Sequence, residues 1–254
     1  MALTLTPLPG IPLIRHKDDL ASLILRSLRQ AGLSLQDGDV LVLAQKIVSK
    51  AEGRLVDLNT VRPTTAAKDL GQQAEKDPRL VQLILDESNA VLRVRPGTIV
   101  VEHRLGFVCA SAGIDHSNVQ GDQEGEDWVL LLPENPDASA AALRQKLEAA
   151  THTRLGVAII DSHGRAWRLG VVGTAIGLSG LPGIVDRRGA PDLFRRPLRI
   201  TQVAAADELA AAASLVMGQA AEGRPVVHVR GFPYSLREAA LQELLRPREQ
   251  DMFR

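Results

Sequence analysis

The sequence predicts a mixed α/β or α+β fold. Three observations carry this expectation: apolar runs of strand length, amphipathic stretches of helix length, and an interleaving of the two without a regular βαβ period. The chain has 254 residues, enough for a substantial core, and 45% of them are apolar. No internal repeat and no low-complexity linker divides it. One domain over residues 1–254 is expected, with two interwoven subdomains as the variant of that reading.

The elements follow in order. Leu3 and Leu5 alternate with threonines, as in a half-buried strand. Pro7 and Pro9 flank Leu8, Pro9-Gly10 signals a turn, and Ile11-Pro12-Leu13-Ile14 is extended. Asp18 and Asp19 stand where a helix begins. Leu20, Leu23, Ile24 and Leu28 give that helix one apolar face, and Gly32 stops it. Residues 40–44 suit a strand buried on both faces. Amphipathic helices are expected at 65–74 and 79–88, then strands at 98–102 and 105–110 joined by a turn at His103-Arg104. Strands at 128–132 and 155–160 bracket a helix that Asp137 can cap.

Gly170, Gly173, Gly177, Gly180 and Gly183 come next. Such a series cradles phosphate with backbone N–H groups or marks close packing between elements. Packing is favoured, because no Lys or Ser/Thr lies at phosphate-loop spacing. A strand at 198–204, an alanine-rich helix at 206–217 stopped by Gly218, and a strand at 226–229 complete the pattern. Ser235-Leu236-Arg237-Glu238 is a capping box that opens a last helix, and residues 246–254 form a charged, frayed tail.

Composition excludes several functions. Lys plus Arg number 30 against 30 Asp plus Glu, so no bulk positive charge points to nucleic acid. Aromatics are only 3%, which argues against base-stacking surfaces. No apolar run approaches the roughly 20 residues that span a bilayer, and no signal peptide is visible, so a soluble cytoplasmic protein without a membrane partner is expected. The one cysteine, Cys109, sits in a strand-like run and reads as a small core residue rather than a nucleophile. Neither Gly-x-x-x-x-Gly-Lys-Ser/Thr nor a strand-following Gly-x-Gly-x-x-Gly occurs, and no Cys/His cluster has zinc spacing.

Four features can carry chemistry. Asp115 and Asp161 each follow an apolar run, where a carboxylate is rigidly supported and can hold a hard cation; Ser162 could add a hydroxyl ligand. Each acid alone reads more often as a turn or capping residue; the two together bring the cation reading level with that one. Gln45, Lys46 and Lys50 follow the 40–44 run and could neutralise phosphate oxygens, but on the residues alone a solvated charged turn is favoured. The segment 217–223 ends the alanine-rich helix with glycines that let backbone approach a ligand, or that merely stop the helix. The glycine series is the fourth. His116 stays without a role.

Six segments in register resemble one family. They are Gly10-Ile11-Pro12-Leu13-Ile14, QKIVSKAEGR at 45–54, GFVCASAGIDHSNV at 106–119, LLPENPDASA at 131–140, IDSHGRAWR at 160–168, and residues 217–231. Together they look like the coenzyme F420-0:γ-glutamyl ligases. The resemblance implies an unusual α/β fold and an intertwined homodimer. It implies GTP-dependent phosphorylation of the terminal carboxylate on a deazaflavin precursor, coenzyme F420-0. The amino group of L-glutamate then attacks the acyl phosphate, with release of GDP and phosphate. Two divalent ions, Mg2+ or Mn2+, and K+ accompany the reaction. By position, Asp115, Asp161, Ser162 and Gln219 match metal ligands. Ile11, Pro12, Leu13, Ile14, Gln45, Lys46, Lys50, Asn118, Met217, Gly218, Gln219, Ala220, Ala221, Glu222, Gly223 and Arg224 match nucleotide contacts. Gln219 supplies an oxygen without charge, and Ser111 replaces an Asn common in the family. The chain ends too early for the flavin-reductase-like C-terminal domain of some bacterial members.

Overall fold

An apolar run such as Val40–Ala44 needs cover on both faces. The computed structural model, which describes residues 2–120 and 127–252, supplies it by setting this run in the middle of a mixed sheet. In chain order the elements are β1 (Thr4–Pro7), α1 (Leu20–Gln30), β2 (Val40–Ala44), α2 (Gln45–Ala51), β3 (Leu55–Asp57), α3 (Thr65–Ala74) and α4 (Pro78–Asp86). There follow β4 (Ser88–Arg95), β5 (Thr98–His103), β6 (Val108–Ala110), β7 (Trp128–Leu130), α5 (Pro136–Thr151), β8 (Gly156–Arg165) and β9 (Arg168–Ser179). The last are β10 (Val185–Asp186), β11 (Gln202–Val203), α6 (Ala205–Met217) and β12 (Val226–Arg230).

The main sheet has the order β1-β12-β2-β8-β9. Only β2 and β8 pair in parallel; the other neighbours are antiparallel. Successive side chains point to opposite faces. Leu41, Leu43, Val157 and Ile159 therefore join Ile24, Leu28, Leu143 and Leu147 from α1 and α5 on one side. Val40, Val42, Ala158 and Ile160 meet Leu209, Ala210 and Ala213 of α6 on the other. A smaller three-stranded sheet, β4-β5-β6, carries a separate apolar cluster with α3 and α4, built on Ala67, Val81, Ile84, Ile99 and Val101.

Most of the glycine series serves packing, whereas Gly170 faces open space at φ 83°. Gly173 and Gly177 lie on β9. A Cβ on Gly173 would stand 2.6 Å from the Ala210 carbonyl oxygen of α6, and one on Gly177 would stand 2.5 Å from the Pro136 carbonyl carbon of α5. Both helices approach the strand too closely for a side chain there.

Several expectations change. Residues 45–51 form a helix directly after β2, and residues 88–95 form a strand with alternating exposure. The last helix does not form: 235–240 is irregular, and only two 3-10 turns, Leu241–Glu243 and Arg248–Gln250, follow among the described residues. Its capping-box side chains are engaged elsewhere, Arg237 with Glu243 and the Ile184 carbonyl, and Glu238 with Arg144. The strand expected at 198–204 shrinks to Gln202–Val203, because Leu198 and Thr201 close a loop onto 187–190. Asn135, not Asp137, caps α5 by accepting from the Ala138 amide at 3.1 Å. Asp137 instead accepts from the amides of Leu178 and Leu241. The last two residues of the expected tail, 253 and 254, lie outside the described residues. Among the described residues no helix is long and apolar enough to cross a membrane.

Candidate active site

The two acids come from different layers. Asp161 lies on β8 where the buried run Gly156–Ile160 gives way to an exposed hairpin arm. Asp115 follows β6 through a turn in which Ser111 (φ 49°), Ala112 (φ 52°) and Gly113 (φ 66°) are all left-handed. Two non-glycine residues in that region are costly, and surrounding structure must hold them there. A backbone bridge does so from the far side: Asp115 donates its amide to the Leu130 carbonyl at 3.0 Å and accepts from the Leu130 amide at 2.9 Å.

The carboxylates are within electrostatic reach of each other. Burial pushes the Asp115 carboxyl above its ordinary range; the Lys46 ammonium opposes this and the charge of Asp161 adds to it. Burial would also raise Asp161, but His163, the Ser162 amide and Lys46 hold it below the ordinary value. His163 Nε2 lies 3.0 Å from Asp161 Oδ2, without a well-aligned hydrogen bond. Lys46 is thus a cation shared by both acids.

The start of α2 faces Asp115. Gln45 donates Nε2 to Asp115 Oδ2 at 2.6 Å, and its Oε1 accepts from Ser49 Oγ at 2.7 Å, which fixes the amide orientation. Lys46 Nζ pairs with the same Asp115 oxygen. Lys50, one helical turn on, donates to the Asn118 carbonyl at 2.7 Å. Burial and then the neighbouring Lys46 charge lower the Lys50 pKa. Asn118 Nδ2 in turn donates to the Ala220 carbonyl at 3.0 Å, and the Ala220 amide donates to Glu222 Oε2 at 2.8 Å. Ser162 Oγ donates to Gln219 Oε1 at 2.9 Å, while Gln219 Nε2 reaches Ser214 Oγ of α6 at 2.8 Å. These contacts tie 45–50, 115–118 and 161–162 to Gln219, Ala220 and Glu222 in one polar cluster.

Other expected residues stand apart from that cluster. Ile11 and Ile14 pack into the core beside α1, while Pro12 and Leu13 are exposed. Met217 is the buried last residue of α6, and Gly218 ends that helix at φ 80°. Ala221, Gly223 and Arg224 are exposed. His163 was not singled out from sequence, although a residue two positions from Asp161 on a strand shares its face. Cys109 is buried, and desolvation followed by the Asp161 charge pushes its thiol up to about 12, so it is no nucleophile.

The donors suit a hard cation. Two carboxylates, one hydroxyl and one amide oxygen are all oxygen ligands, as magnesium and manganese prefer. Burial first, and then the Asp161 charge, raise the Asp115 carboxyl, and a bound cation would favour its charged form. Among the described residues no three His, Cys, Asp or Glu converge. An ion here would need neutral oxygens or substrate oxygens to complete its shell.

Comparison with known proteins follows the same lines. The family model F420-0:gamma-glutamyl ligase matches residues 10–231. The chain is 48% identical over 256 residues to the coenzyme F420:L-glutamate ligase of Methanothermobacter thermautotrophicus, covering 100% of both chains. It is 44% identical to the enzyme of that name from Methanopyrus kandleri, covering 99% of this chain and 98% of the other. The Archaeoglobus fulgidus protein of that name is 41% identical, covering 100% and 97%. With matches that run the length of both chains, this protein belongs to the F420-0:γ-glutamyl ligase family.

Proposed function

We propose that this chain ligates L-glutamate to coenzyme F420-0 at the expense of GTP, the number of γ-linked glutamates being an outcome of the test below. The observation that carries the reading is the meeting of Asp115, Asp161 and Lys46 in one polar cluster, in a chain whose relatives are named for glutamate ligation to coenzyme F420. The acceptor carboxylate attacks the γ-phosphorus of GTP, giving an acyl phosphate and GDP. The glutamate amine then attacks the acyl carbon, phosphate leaves, and the nitrogen loses a proton as the amide forms.

Two anions must approach each other in the first step. Lys46 and Lys50 bring positive charge on one helical face, where burial and then the Lys46 charge lower the Lys50 pKa. Asp115, Asp161, Ser162 and Gln219 would hold two divalent ions, Mg2+ or Mn2+, with K+ as a further requirement. Bound there, these ions would screen the triphosphate from the acceptor carboxylate and stabilise the transferring phosphoryl group. Gln45 and Ser49 keep Asp115 oriented. Asn118 and the 217–224 segment bind the nucleotide, and the family resemblance adds residues 11–14 to its contacts. Correct placement of the reactants is worth about 7–11 kcal/mol by effective-molarity estimates.

A homodimer fits the surface. Leu169 on the β8–β9 hairpin and Leu193 are each 98% exposed, and Phe194, Ile200 and Leu215 are also uncovered, which favours a partner copy.

The test is incubation of purified protein with GTP, Mg2+ or Mn2+, L-glutamate and F420-0, read by mass spectrometry. The reading predicts a mass increase of one glutamyl unit together with GDP formation. A panel of other phosphorylated acids and amino acids checks the substrate, and turnover with those alone would overturn it.

A further inference from the structure

We infer that Phe107 and His163 are positioning residues: the contact between their rings sets where Asp115 stands relative to Asp161, and hence how tightly the pair holds a divalent cation. The inference rests on the cation reading given above. Asp115 is carried by the chain leaving the small β4-β5-β6 sheet, and Asp161 by β8 of the main sheet. Each layer has its own apolar cluster. A cation shared by the two acids therefore depends on how the layers are docked, not on the local geometry of either strand.

Phe107 sits at that docking point. It immediately precedes β6 and packs against both the main core and the small-sheet cluster. Its ring meets the His163 ring with centroids 5.2 Å apart and planes tilted by 45°. His163 lies on β8 on the same face as Asp161, with Nε2 3.0 Å from the Asp161 carboxylate. One ring pair thus joins the strand that leads to Asp115 with the side chain that backs Asp161.

The other face of Phe107 is anchored. It stacks on His103 at 5.0 Å with planes only 5° apart. His103 is fully buried, and its Nδ1 accepts from the Leu105 amide at 3.0 Å. That bond leaves the proton on Nε2, which faces Glu87 Oε2 at 3.7 Å. Glu87 is gripped by Arg54 at 2.7 Å and Arg104 at 2.8 Å. Arg54 also donates to the Leu132 carbonyl, just beyond β7. The column Glu87–His103–Phe107–His163 is therefore fixed at its base, and its free end bears on Asp161. Supporting groups of this kind hold liganding side chains in place, and their loss typically weakens metal binding 10- to 100-fold.

The experiment is a Mn2+ titration of the purified chain, with free Mn2+ followed by electron paramagnetic resonance and the melting temperature recorded for each protein. Phe107→Leu and His163→Asn remove the ring contact; the Asn keeps a polar donor beside Asp161. Phe107→Tyr keeps the contact, and Asp161→Asn is the control that removes a ligand. Expected is Mn2+ binding about tenfold weaker in folded Phe107→Leu and His163→Asn, unchanged binding in Phe107→Tyr, and severe loss in Asp161→Asn. A merely structural role would lower the melting temperature without moving Mn2+ affinity. Wild-type binding that persists unchanged in His163→Asn, or in a folded Phe107→Leu, overturns this inference alone. Failure of the wild type to bind Mn2+ overturns the cation reading and this inference with it.

Discussion

Replacing Glu87 by Gln should cost this protein on the order of 3 kcal/mol at neutral pH. Burial alone would push the Glu87 carboxyl up, but His103, Arg104 and Arg54 bring it from the ordinary 4.5 down to about 2. A drop of that size corresponds to on the order of 3 kcal/mol of stabilisation of the charged form. The side chain is only 11% exposed, so solvent screening removes little of it. Breaking a buried ion pair by removing one partner costs about 3–5 kcal/mol, which agrees. The folded value lies below the ordinary one, so the stabilisation is complete above about pH 4.5 and drains away as pH falls toward about 2. Urea unfolding of wild type and Glu87→Gln should be followed at pH 7 and at steps down to pH 3. The wild type should lose stability in that acid window more steeply than the variant, and the two should approach each other at the acid end. A variant within 1 kcal/mol of wild type at pH 7, or one with the same acid slope, refutes the reasoning.

Two further predictions follow from the site. Lys46→Met removes the cation that both acids share, so the Asp115 carboxyl rises further and the glutamyl-transfer rate should fall about 100-fold or more, with the fold retained by circular dichroism; a rate within threefold of wild type would show that Lys46 has no part in the chemistry. Cys109, buried and with its thiol at about 12, should resist iodoacetamide in the native protein at pH 8 and react only on unfolding, while Cys109→Ala keeps its activity; rapid native labelling or a loss of turnover would contradict this.

The sequence displayed the parts of the fold whose cause is local. The run at 40–44 is apolar enough to demand burial on both faces and 226–229 reads as a strand, and both lie inside the main sheet. The amphipathic stretch at 65–74 is α3 to the residue. What escaped was set by contacts between distant segments. The QKIVSK stretch of α2 has a mixed polar pattern, and its helix is fixed by Ile47 and Val48 packing into the main core and by Gln45 and Lys46 meeting Asp115. The Ser235–Glu238 box has the right local chemistry, yet Arg237 and Glu238 find partners in Glu243 and Arg144 instead. In the site, Asp115 and Asp161 were legible as acids after apolar runs. The Lys46 pairing, the left-handed turn at 111–113 and the ring column behind His163 were not, because each depends on how two layers dock.

The measurement that bears most directly on the central claim is product mass after incubation with GTP, Mn2+, L-glutamate and F420-0, for the wild type beside folded Asp115→Asn and Asp161→Asn. The account predicts one added glutamyl unit with the wild type and at least about a 100-fold lower rate with each variant. Undiminished glutamyl transfer by either variant would contradict it.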